Sequence, residues 1–228
     1  RIGLEGGGID DSNRFADATT LKANAAIALG GGLWLHGAYG EGFAQPGFTE
    51  LYGFFPGSFQ GNPDLHPERN QSIEGGIAWR SGFLDIDVTA FRARLKHEIV
   101  STYDGNTGLS GVANAAGRSR RHGIEVTAEA RPTDSLRLSA GYVWLNSREP
   151  GAMPGTLIRE VRRPRHSASA SADWTAGPAS VGIGLAYVGP RIDTDFDLFP
   201  AARVRLDDYL LANLKLGWRI LPDVEAFG

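Results

Sequence analysis

The sequence predicts an all-β protein, an antiparallel meander of about ten strands that forms part of a transmembrane β-barrel. Three observations predict this fold class. Apolar residues recur at every second position over most of the 228-residue chain, which indicates strands with one apolar face. The connections alternate between short and long, and aromatic residues of the apolar face cluster near the strand ends. Both features are typical of outer-membrane barrels.

The alternation is clearest in Ser180–Gly189, where Val181, Ile183, Leu185 and Tyr187 share one face and small residues occupy the other. Ten residues of strict alternation predict a strand with a single apolar face. The same pattern recurs near residues 21–29, 73–79, 84–90, 124–128, 136–142, 168–174 and 210–218.

The connections between these strands are of two sizes. Short connections are expected at residues 30–32, 80–82, 131–135, 176–178 and 221–223. Long connections are expected at residues 6–18, 44–70, 96–120, 147–165 and 192–207. Because short and long alternate strictly, we expect an antiparallel meander with tight turns on one side and long loops on the other.

The aromatic residues of the apolar face divide into two groups. One group lies beside the short turns and consists of Trp79, Trp174 and Trp218. The other lies near the long loops and consists of Tyr39, Tyr142, Trp144 and Tyr187. We interpret these residues as two girdles at the membrane interfaces, since a soluble sandwich has no reason to sort its aromatics by strand end.

The opposite face of the strands carries charged residues such as Glu74, Asp85, Asp87 and Lys215. Charges in apolar surroundings are very costly, so this face needs water or polar partners. A water-filled barrel lumen supplies them, and so does the open face of a soluble sheet. A soluble all-β binding module therefore remains the alternative, and it predicts refolding in buffer without detergent.

Composition excludes several other classes. The formal net charge of −3 argues against nucleic-acid binding, and the absence of cysteine excludes disulfides and thiolate zinc sites. The chain contains no run of 18 or more apolar residues, so no membrane-spanning helix is expected. Both ends, RIGLEGGG and LPDVEAFG, look cut, so we expect an internal fragment of a longer protein.

No enzyme, cofactor or metal site is expected from the motifs. The five histidines have no pair at metal-ligand spacing, Gly6–Gly8 lacks a nucleotide-loop context, and no nucleophile elbow is present. Asp193, Asp195 and Asp197 invite a calcium hypothesis, but the twelve-residue loop pattern is not met. A solvated loop is the favoured interpretation of these three acids.

Two stretches carry a family resemblance. YGEGFAQPGFTELYG at Tyr39–Gly53 and GNPDLHPERNQSIEGG at Gly61–Gly76 closely resemble TonB-dependent outer-membrane receptors, with Gln45 as one departure. The segments NAAGRSRRHGIEVTAEARP and LIREVRRPRHSASASADW extend the resemblance over essentially the whole chain. The ELYGFF, RRPRH and YVGPRIDTDFDLFPAARVRLDDY segments look most like the cobalamin receptor branch.

The resemblance implies a barrel of about 22 strands closed by an N-terminal plug, of which residues 1–228 are the C-terminal half as a single partial domain. It also implies location in the bacterial outer membrane, contact with lipid and lipopolysaccharide, and import energised by TonB through the absent N-terminal part. Cobalamin is the first expected substrate, an iron siderophore or haem the alternative, and a passive porin-like barrel the most distant one. A pair of loop histidines would favour haem.

Candidate ligand-binding residues lie in the long loops. Tyr52, Phe54, Phe55 and Phe59 form an aromatic cluster that suits a large flat ligand, although packing within the loop is the alternative. Phe196 and Phe199 are secondary candidates in a later loop. The residues of GNPDLHPE are expected to hold the return path of their loop.

Arginines form the second set of candidates. Arg162, Arg163 and Arg165 lie where a long loop descends into a strand, and a guanidinium there can bind a polar or anionic ligand. By resemblance, Arg162 is the best single candidate for ligand contact. A solvated or lipopolysaccharide-facing charge is the alternative, and Arg118, Arg120 and Arg121 are further candidates for lipopolysaccharide phosphate.

Overall fold

The computed structural model describes residues 2–4, 11–13, 18–53, 57–151, 153, 155–195, 197, 201–221 and 224–228. In chain order the elements are β1 (Ile2–Leu4), β2 (Asp11–Asn13), β3 (Lys22–Gly30), β4 (Leu33–Ala44), α1 (Phe48–Tyr52), β5 (Phe59–Gln60), β6 (Glu68–Arg80), β7 (Leu84–Lys96), β8 (Ile99–Asp104), β9 (Leu109–Asn114), β10 (Arg118–Thr133), β11 (Leu136–Pro150), β12 (Leu157–Arg159), β13 (His166–Ala176), β14 (Ala179–Val188), β15 (Arg191–Asp195), β16 (Ala202–Leu206), β17 (Tyr209–Leu221) and β18 (Val224–Phe227). In these ranges no helix has the length and apolar character needed to cross a membrane.

The main sheet follows the order β3-β4-β6-β7-β10-β11-β13-β14-β17-β18, and the short strand β12 pairs with β11 beside this path. Each strand pairs antiparallel with the next long strand along the chain. This confirms the predicted all-β antiparallel meander of about ten strands.

The connections have the predicted two sizes. Residues 81–83, 134–135 and 177–178 make short turns, whereas 45–67, 97–117, 151–165 and 189–208 make long connections. The turn between β3 and β4 requires glycine, because Gly30, Gly31 and Gly32 all have positive φ. A Cβ on Gly32 would also lie 2.1 Å from the backbone oxygen of Arg80.

The register of the strands separates an apolar face from a polar face, because directly opposed residues share a face. One apolar row runs through Leu35, Ile77, Val88, Val126, Tyr142, Ala168, Tyr187 and Leu210. One polar row runs through Arg80, Asp85, Glu129, Ser139, Ser171, Gly184 and Asn213. The apolar side chains are exposed, as shown by Ile77 at 52% and Leu214 at 62%.

The structure puts the seven predicted girdle aromatics on the apolar face. Beside the short turns, Trp79 opposes Ile86, and Trp174 opposes Val181. Near the long connections, Tyr142 opposes Val126. The same face carries the remaining girdle residues, which are Tyr39, Trp144, Tyr187 and Trp218. Their role at the membrane interfaces stays a prediction.

On the polar face, a histidine bridges three strands. His36 of β4 extends across β6, and its Nε2 lies 2.9 Å from Oδ2 of Asp87 on β7. The contact has the distance of an ion pair but not the angle of a well-aligned hydrogen bond, since Nε2 has no hydrogen-bond partner. The ring passes over Gly76, which opposes His36 in the register.

Small additional elements fold within the long connections. β5, β9 and β8 form a three-stranded sheet, and β15 pairs with β16 as a hairpin. Leu51 and Leu65 are 0% and 2% exposed, so the connection between β4 and β6 buries two apolar side chains. The described parts of the long connections therefore contain regular secondary structure of their own.

Candidate functional site

The long connections form the candidate site. They are named loop A (45–67), loop B (97–117), loop C (151–165) and loop D (189–208). Loops A and B contact each other, and loops C and D contact each other. The candidate ligand-binding residues that the structure describes, Tyr52, Phe59, Arg162, Arg163 and Arg165, belong to these loops.

Loops A and B are joined by Asn114 at the end of β9. Its Nδ2 donates to the backbone oxygens of His66 and His97 at 2.9 and 2.7 Å. Its Oδ1 accepts from the backbone N–H of His66 at 2.7 Å. Each polar group of the amide side chain is thereby satisfied, which fixes the two loops relative to each other.

The GNPDLHPE segment holds the return path of loop A. Oδ1 of Asn62 accepts from the backbone N–H of Asp64 at 3.0 Å, and Nδ2 of Asn62 donates to Val112 of loop B at 3.1 Å. Leu65 is buried, and Oε1 of Glu68 accepts from the backbone N–H of Ile99 at 2.7 Å. The side chains of this segment therefore make structural contacts within the loops.

The aromatic candidates of loop A lie in different elements. Tyr52 ends α1, and its ring centroid lies 5.2 Å from that of Phe48. Phe59 is half-buried in β5, which pairs parallel with β9. Phe54 and Phe55 lie outside the described residues, as do Phe196 and Phe199 of loop D. Ligand contact by these aromatics stays a prediction.

Two loop histidines meet although their positions in the sequence gave no sign of it. The ring centroids of His66 in loop A and His97 in loop B lie 5.3 Å apart. His97 has a positive φ of 55°, which is uncommon for a residue other than glycine. In the described ranges no group of three or more acidic or histidine residues is placed to hold a metal ion.

Glu160 organises the arginines of loop C. Arg121 donates to it in a bidentate arrangement, with Nε to Oε2 at 2.8 Å and Nη2 to Oε1 at 2.5 Å. Arg163 donates from Nε to Oε1 at 3.2 Å, and the hydroxyl of Ser147 also donates to Oε2. Glu160 is 6% exposed, so the network ties loop C to β10 and β11 through a buried carboxylate.

The same network separates Arg121 from its sequence neighbours. Arg118 and Arg120 are exposed on the apolar face, whereas Arg121 has the opposite parity and binds Glu160. Arg121 therefore has a structural partner that the sequence reasoning missed. A lone acid within LIREVRRPRH was the one signal that could have pointed to Glu160.

The ionisation of Glu160 follows from these contacts. Burial disfavours the charged carboxylate, but the hydrogen bonds from Arg121 and Ser147 outweigh burial and hold the pKa of Glu160 below its ordinary value. A group with a lowered pKa in the folded state adds stability at neutral pH. That contribution is lost as the pH falls through the lowered pKa.

We therefore expect loop C to loosen in acid. A spin label attached at Ile158→Cys would be a unique label, because the chain has no other cysteine. Its electron paramagnetic resonance spectrum should change from immobile to mobile as the pH falls from neutral through the lowered pKa of Glu160. The same label in a Glu160→Gln background should be mobile at all these pH values. An immobile spectrum throughout acidification would contradict the expectation.

Arg162 joins loop C to loop D. Its Nε donates to Oδ1 of Asp193 at 2.9 Å, and its backbone N–H donates to the backbone oxygen of Ile192 at 2.7 Å. The hydrogen bond from Arg162 is the main reason that the pKa of Asp193 is lowered. Arg162 has a positive φ of 59°, and its side chain is 67% exposed. It is thus ordered but accessible.

Loop D is anchored a second time by Arg203. Its Nη1 donates to Oε1 of Glu149 at 2.9 Å, and its Nη2 donates to the backbone oxygen of Arg159. The predicted solvated acids are partly engaged within the loop, since Oδ1 of Asp195 accepts from the backbone N–H of Asp197 at 2.9 Å.

A cationic pocket lies between loop C and the end of β11. Its volume is about 250 Å³, and its lining consists of Leu145, Asn146, Ser147, Arg148, Arg159, Arg163 and Arg165. No carboxylate belongs to this lining, although Glu160 holds Arg163 from outside it. The structure therefore brings Arg163 and Arg165 together in one pocket and directs Arg162 towards loop D.

An antiparallel meander with one exposed apolar face, one polar face and long loops at one end is the wall of a transmembrane β-barrel. The family model "TonB dependent receptor-like, beta-barrel" matches residues 5–227. The chain belongs to the TonB-dependent receptor family. This is a family of transport receptors rather than enzymes, and its barrel places the chain in the outer membrane.

Solved structures agree in fold. The siderophore receptor PirA from Acinetobacter baumannii is 16% identical with a TM-score of 0.73, over 91% of this chain and 36% of that one. The ferric enterobactin receptor mutant (Q482A) of PfeA from Pseudomonas aeruginosa is 17% identical with a TM-score of 0.68, over 90% of this chain and 34% of that one. The copper transporter OprC is 15% identical with a TM-score of 0.71, over 90% of this chain and 32% of that one. The chain thus spans about a third of the length of these proteins.

Proposed function

We propose that residues 1–228 form the C-terminal part of the barrel of an outer-membrane receptor that binds a scarce metal chelate and imports it with energy from TonB. The chain covers about a third of each of these solved receptors, which supports its being one part of a longer barrel. The remaining strands and the plug, through which TonB acts, belong to the rest of the receptor. Outer-membrane lipid and lipopolysaccharide are the further partners of its wall.

We infer that the cargo is an anionic ferric siderophore of the catecholate class. The observation that carries this inference is the cationic pocket, where Arg159, Arg163 and Arg165 meet without a lining carboxylate. A ferric catecholate complex is a polyanion with many oxygen acceptors, and guanidinium groups bind such oxygens through charge-assisted hydrogen bonds. Solved relatives with the same fold include receptors described as binding siderophores and enterobactin.

Cobalamin is the second candidate. The segments ELYGFF, RRPRH and YVGPRIDTDFDLFPAARVRLDDY favour it by sequence resemblance. A corrinoid offers less negative charge to the arginine pocket than a ferric catecholate does, so the pocket favours the siderophore. Haem is a further candidate ligand to include in the binding test, because the rings of His66 and His97 lie 5.3 Å apart in the loops.

Equilibrium binding to outer membranes that contain the receptor tests the proposal. Radiolabelled ferric enterobactin is the probe, with unlabelled cyanocobalamin and haemin as competitors. Saturable binding that only iron catecholates displace would support the siderophore proposal. Saturable binding of cyanocobalamin alone would replace it with the corrinoid, and conductance through an open pore without any ligand binding would favour a passive porin.

The arginines of the pocket should govern affinity. We expect the double change of Arg163→Ala and Arg165→Ala to weaken binding of ferric enterobactin by at least about 100-fold, because each lost charge-assisted hydrogen bond is worth about 1.5–3 kcal/mol and every 1.4 kcal/mol is about tenfold in affinity. Arg137→Ala, which removes a cation near a short turn at the other end of the sheet, is the control and should leave the affinity unchanged. Equal affinities of the double variant and wild type would remove the pocket from the binding site.

A further inference from the structure

Two imidazole rings come together where loop A meets loop B. His66 follows the buried Leu65 at the return of loop A, and His97 is the first residue of loop B. Their ring centroids lie 5.3 Å apart, with an interplanar angle of 53°. Two imidazoles that share one tetrahedral ion at metal–nitrogen distances of about 2.0–2.1 Å have ring centroids about 5 Å apart. The spacing of the pair therefore matches that of two ligands on a single ion.

The chain on both sides of this contact is fixed by hydrogen bonds. Nδ2 of Asn114 donates to the backbone oxygens of His66 and His97, and its Oδ1 accepts from the backbone N–H of His66. Two residues beyond each histidine, Oε1 of Glu68 accepts from the backbone N–H of Ile99 at 2.7 Å. The separation of the two rings is therefore set by the folded loops, and a ligand would find the pair already assembled.

The backbone of His97 is held in an uncommon conformation. Its φ of 55° lies in the left-handed region, which residues other than glycine rarely adopt. Such strain persists only where the surroundings fix it, and it clusters at active sites and ligand clamps. Here the surroundings include the hydrogen bond from Asn114 to the backbone oxygen of His97. The strained backbone places the ring of His97 against that of His66.

The ring nitrogens of this pair are available to a ligand. Within the described ranges, the hydrogen bonds of His66 and His97 are made by their backbone groups, and neither ring belongs to an ion pair. His66 is exposed, and His97 is half-buried. Each of the other three histidines has a polar side-chain partner: Asp87 for His36, Asn146 for His122 and Tyr142 for His166.

We propose that His66 and His97 bind one divalent transition-metal ion, which joins loop A to loop B. Imidazole nitrogen is a preferred ligand of Zn²⁺, Cu²⁺ and Ni²⁺, and the ring spacing suits the tetrahedral geometry of Zn²⁺. No group of three or more acidic or histidine residues holds a metal in the described part of the chain, so water completes the coordination. This inference is independent of the cargo, which is assigned to loops C and D.

The arrangement fits an ion better than a haem group. Two histidines that ligate a haem iron lie on opposite faces of the macrocycle and on one line through the metal. Their rings are then farther apart than two ligands on a tetrahedral ion. The 5.3 Å spacing of His66 and His97 leaves less room than that arrangement needs.

Isothermal titration of Zn²⁺ into the tag-free, chelator-treated full-length receptor in detergent tests the proposal. His66→Gln and His97→Asn, made separately, should each weaken the binding of one Zn²⁺ by at least about tenfold, because even an outer-shell partner of a metal ligand is worth about 10–100-fold in affinity. Asparagine tolerates the left-handed backbone of His97, so this variant keeps the loop conformation. Hydrogen–deuterium exchange of residues 62–67 and 97–100 should slow when Zn²⁺ is added to wild type and stay unchanged in both variants.

The matched control removes two histidines from the apolar face of the wall. The double variant His122→Gln and His166→Gln should bind Zn²⁺ with wild-type affinity, since these side chains lie beside Asn146 and Trp144 on the strands. Zn²⁺ affinities of His66→Gln and His97→Asn within about twofold of wild type would overturn the proposal and reduce the pair to an ordinary ring contact. A low-spin haemin spectrum that both variants lose, without Zn²⁺ binding by wild type, would replace the ion with haem.

Discussion

Replacing Gly76 with alanine is expected to lower the free energy of unfolding of the receptor barrel by about 1–3 kcal/mol. A Cβ at this position would lie 2.6 Å from Cε1 and Nε2 of the His36 ring and 2.6 Å from the backbone oxygen of Val88. The ring can turn away only by giving up its contact with Asp87, and the backbone oxygen belongs to the neighbouring strand β7. The added methyl group must therefore displace part of the sheet.

Gly75 offers the matched control one residue away on the same strand. A Cβ there would meet its nearest neighbour, the backbone oxygen of His36, at an ordinary 3.8 Å. Gly75→Ala should be neutral or slightly stabilising, because glycine loses more chain entropy on folding than alanine does. Urea unfolding in detergent micelles, together with the heat-dependent mobility of the folded barrel on gels, measures both variants. Equal stability of the two would show that the His36 crossing does not constrain β6.

Glu160→Gln is expected to have the largest effect on the loops. Glutamine keeps the shape of the side chain but removes the charge that faces Arg121 and Arg163. Arg121 is then left largely buried without a carboxylate partner. We expect this to reduce the free energy that favours the ordered form of loop C by about 2 kcal/mol. Because loop C carries the cationic pocket, we expect ferric enterobactin to bind about 30-fold more weakly.

Hydrogen–deuterium exchange of residues 157–163 provides a readout that needs no ligand. These amides should exchange faster in Glu160→Gln than in wild type. The control is Glu149→Gln, which breaks the more exposed pair with Arg203 and should cost about 0–1 kcal/mol. Similar exchange in both variants would mean that the buried carboxylate does not organise loop C.

The strands and their faces could be predicted from the sequence because alternation is a local property. Ser180–Gly189 shows its apolar face within ten residues, and β14 covers Ala179–Val188 in the structure. The alternation of turn lengths then fixes an antiparallel order, which the sheet follows. The register adds only which residues oppose each other, such as Tyr142 and Val126.

The candidate site could be predicted only in part. The RRPRH segment marked the right loop, but its three arginines have different surroundings. Arg162 binds Asp193 at a distance of 31 residues along the chain, and Arg163 binds Glu160 within its own loop. Loop sequences have no periodicity, so nothing in the sequence predicted which partner each of these arginines binds.

By itself, the sequence determined that this chain is a set of amphipathic antiparallel strands of an outer-membrane receptor. It could do so because the alternation of apolar residues and the long family motifs both lie in contiguous stretches of the chain. Only the tertiary structure decided which polar groups meet. The Arg121–Glu160 pair spans 39 residues, and the amide of Asn114 joins two loops across 48 residues. Such contacts depend on the register of distant strands and on loop packing, and both are set by the folded sheet as a whole.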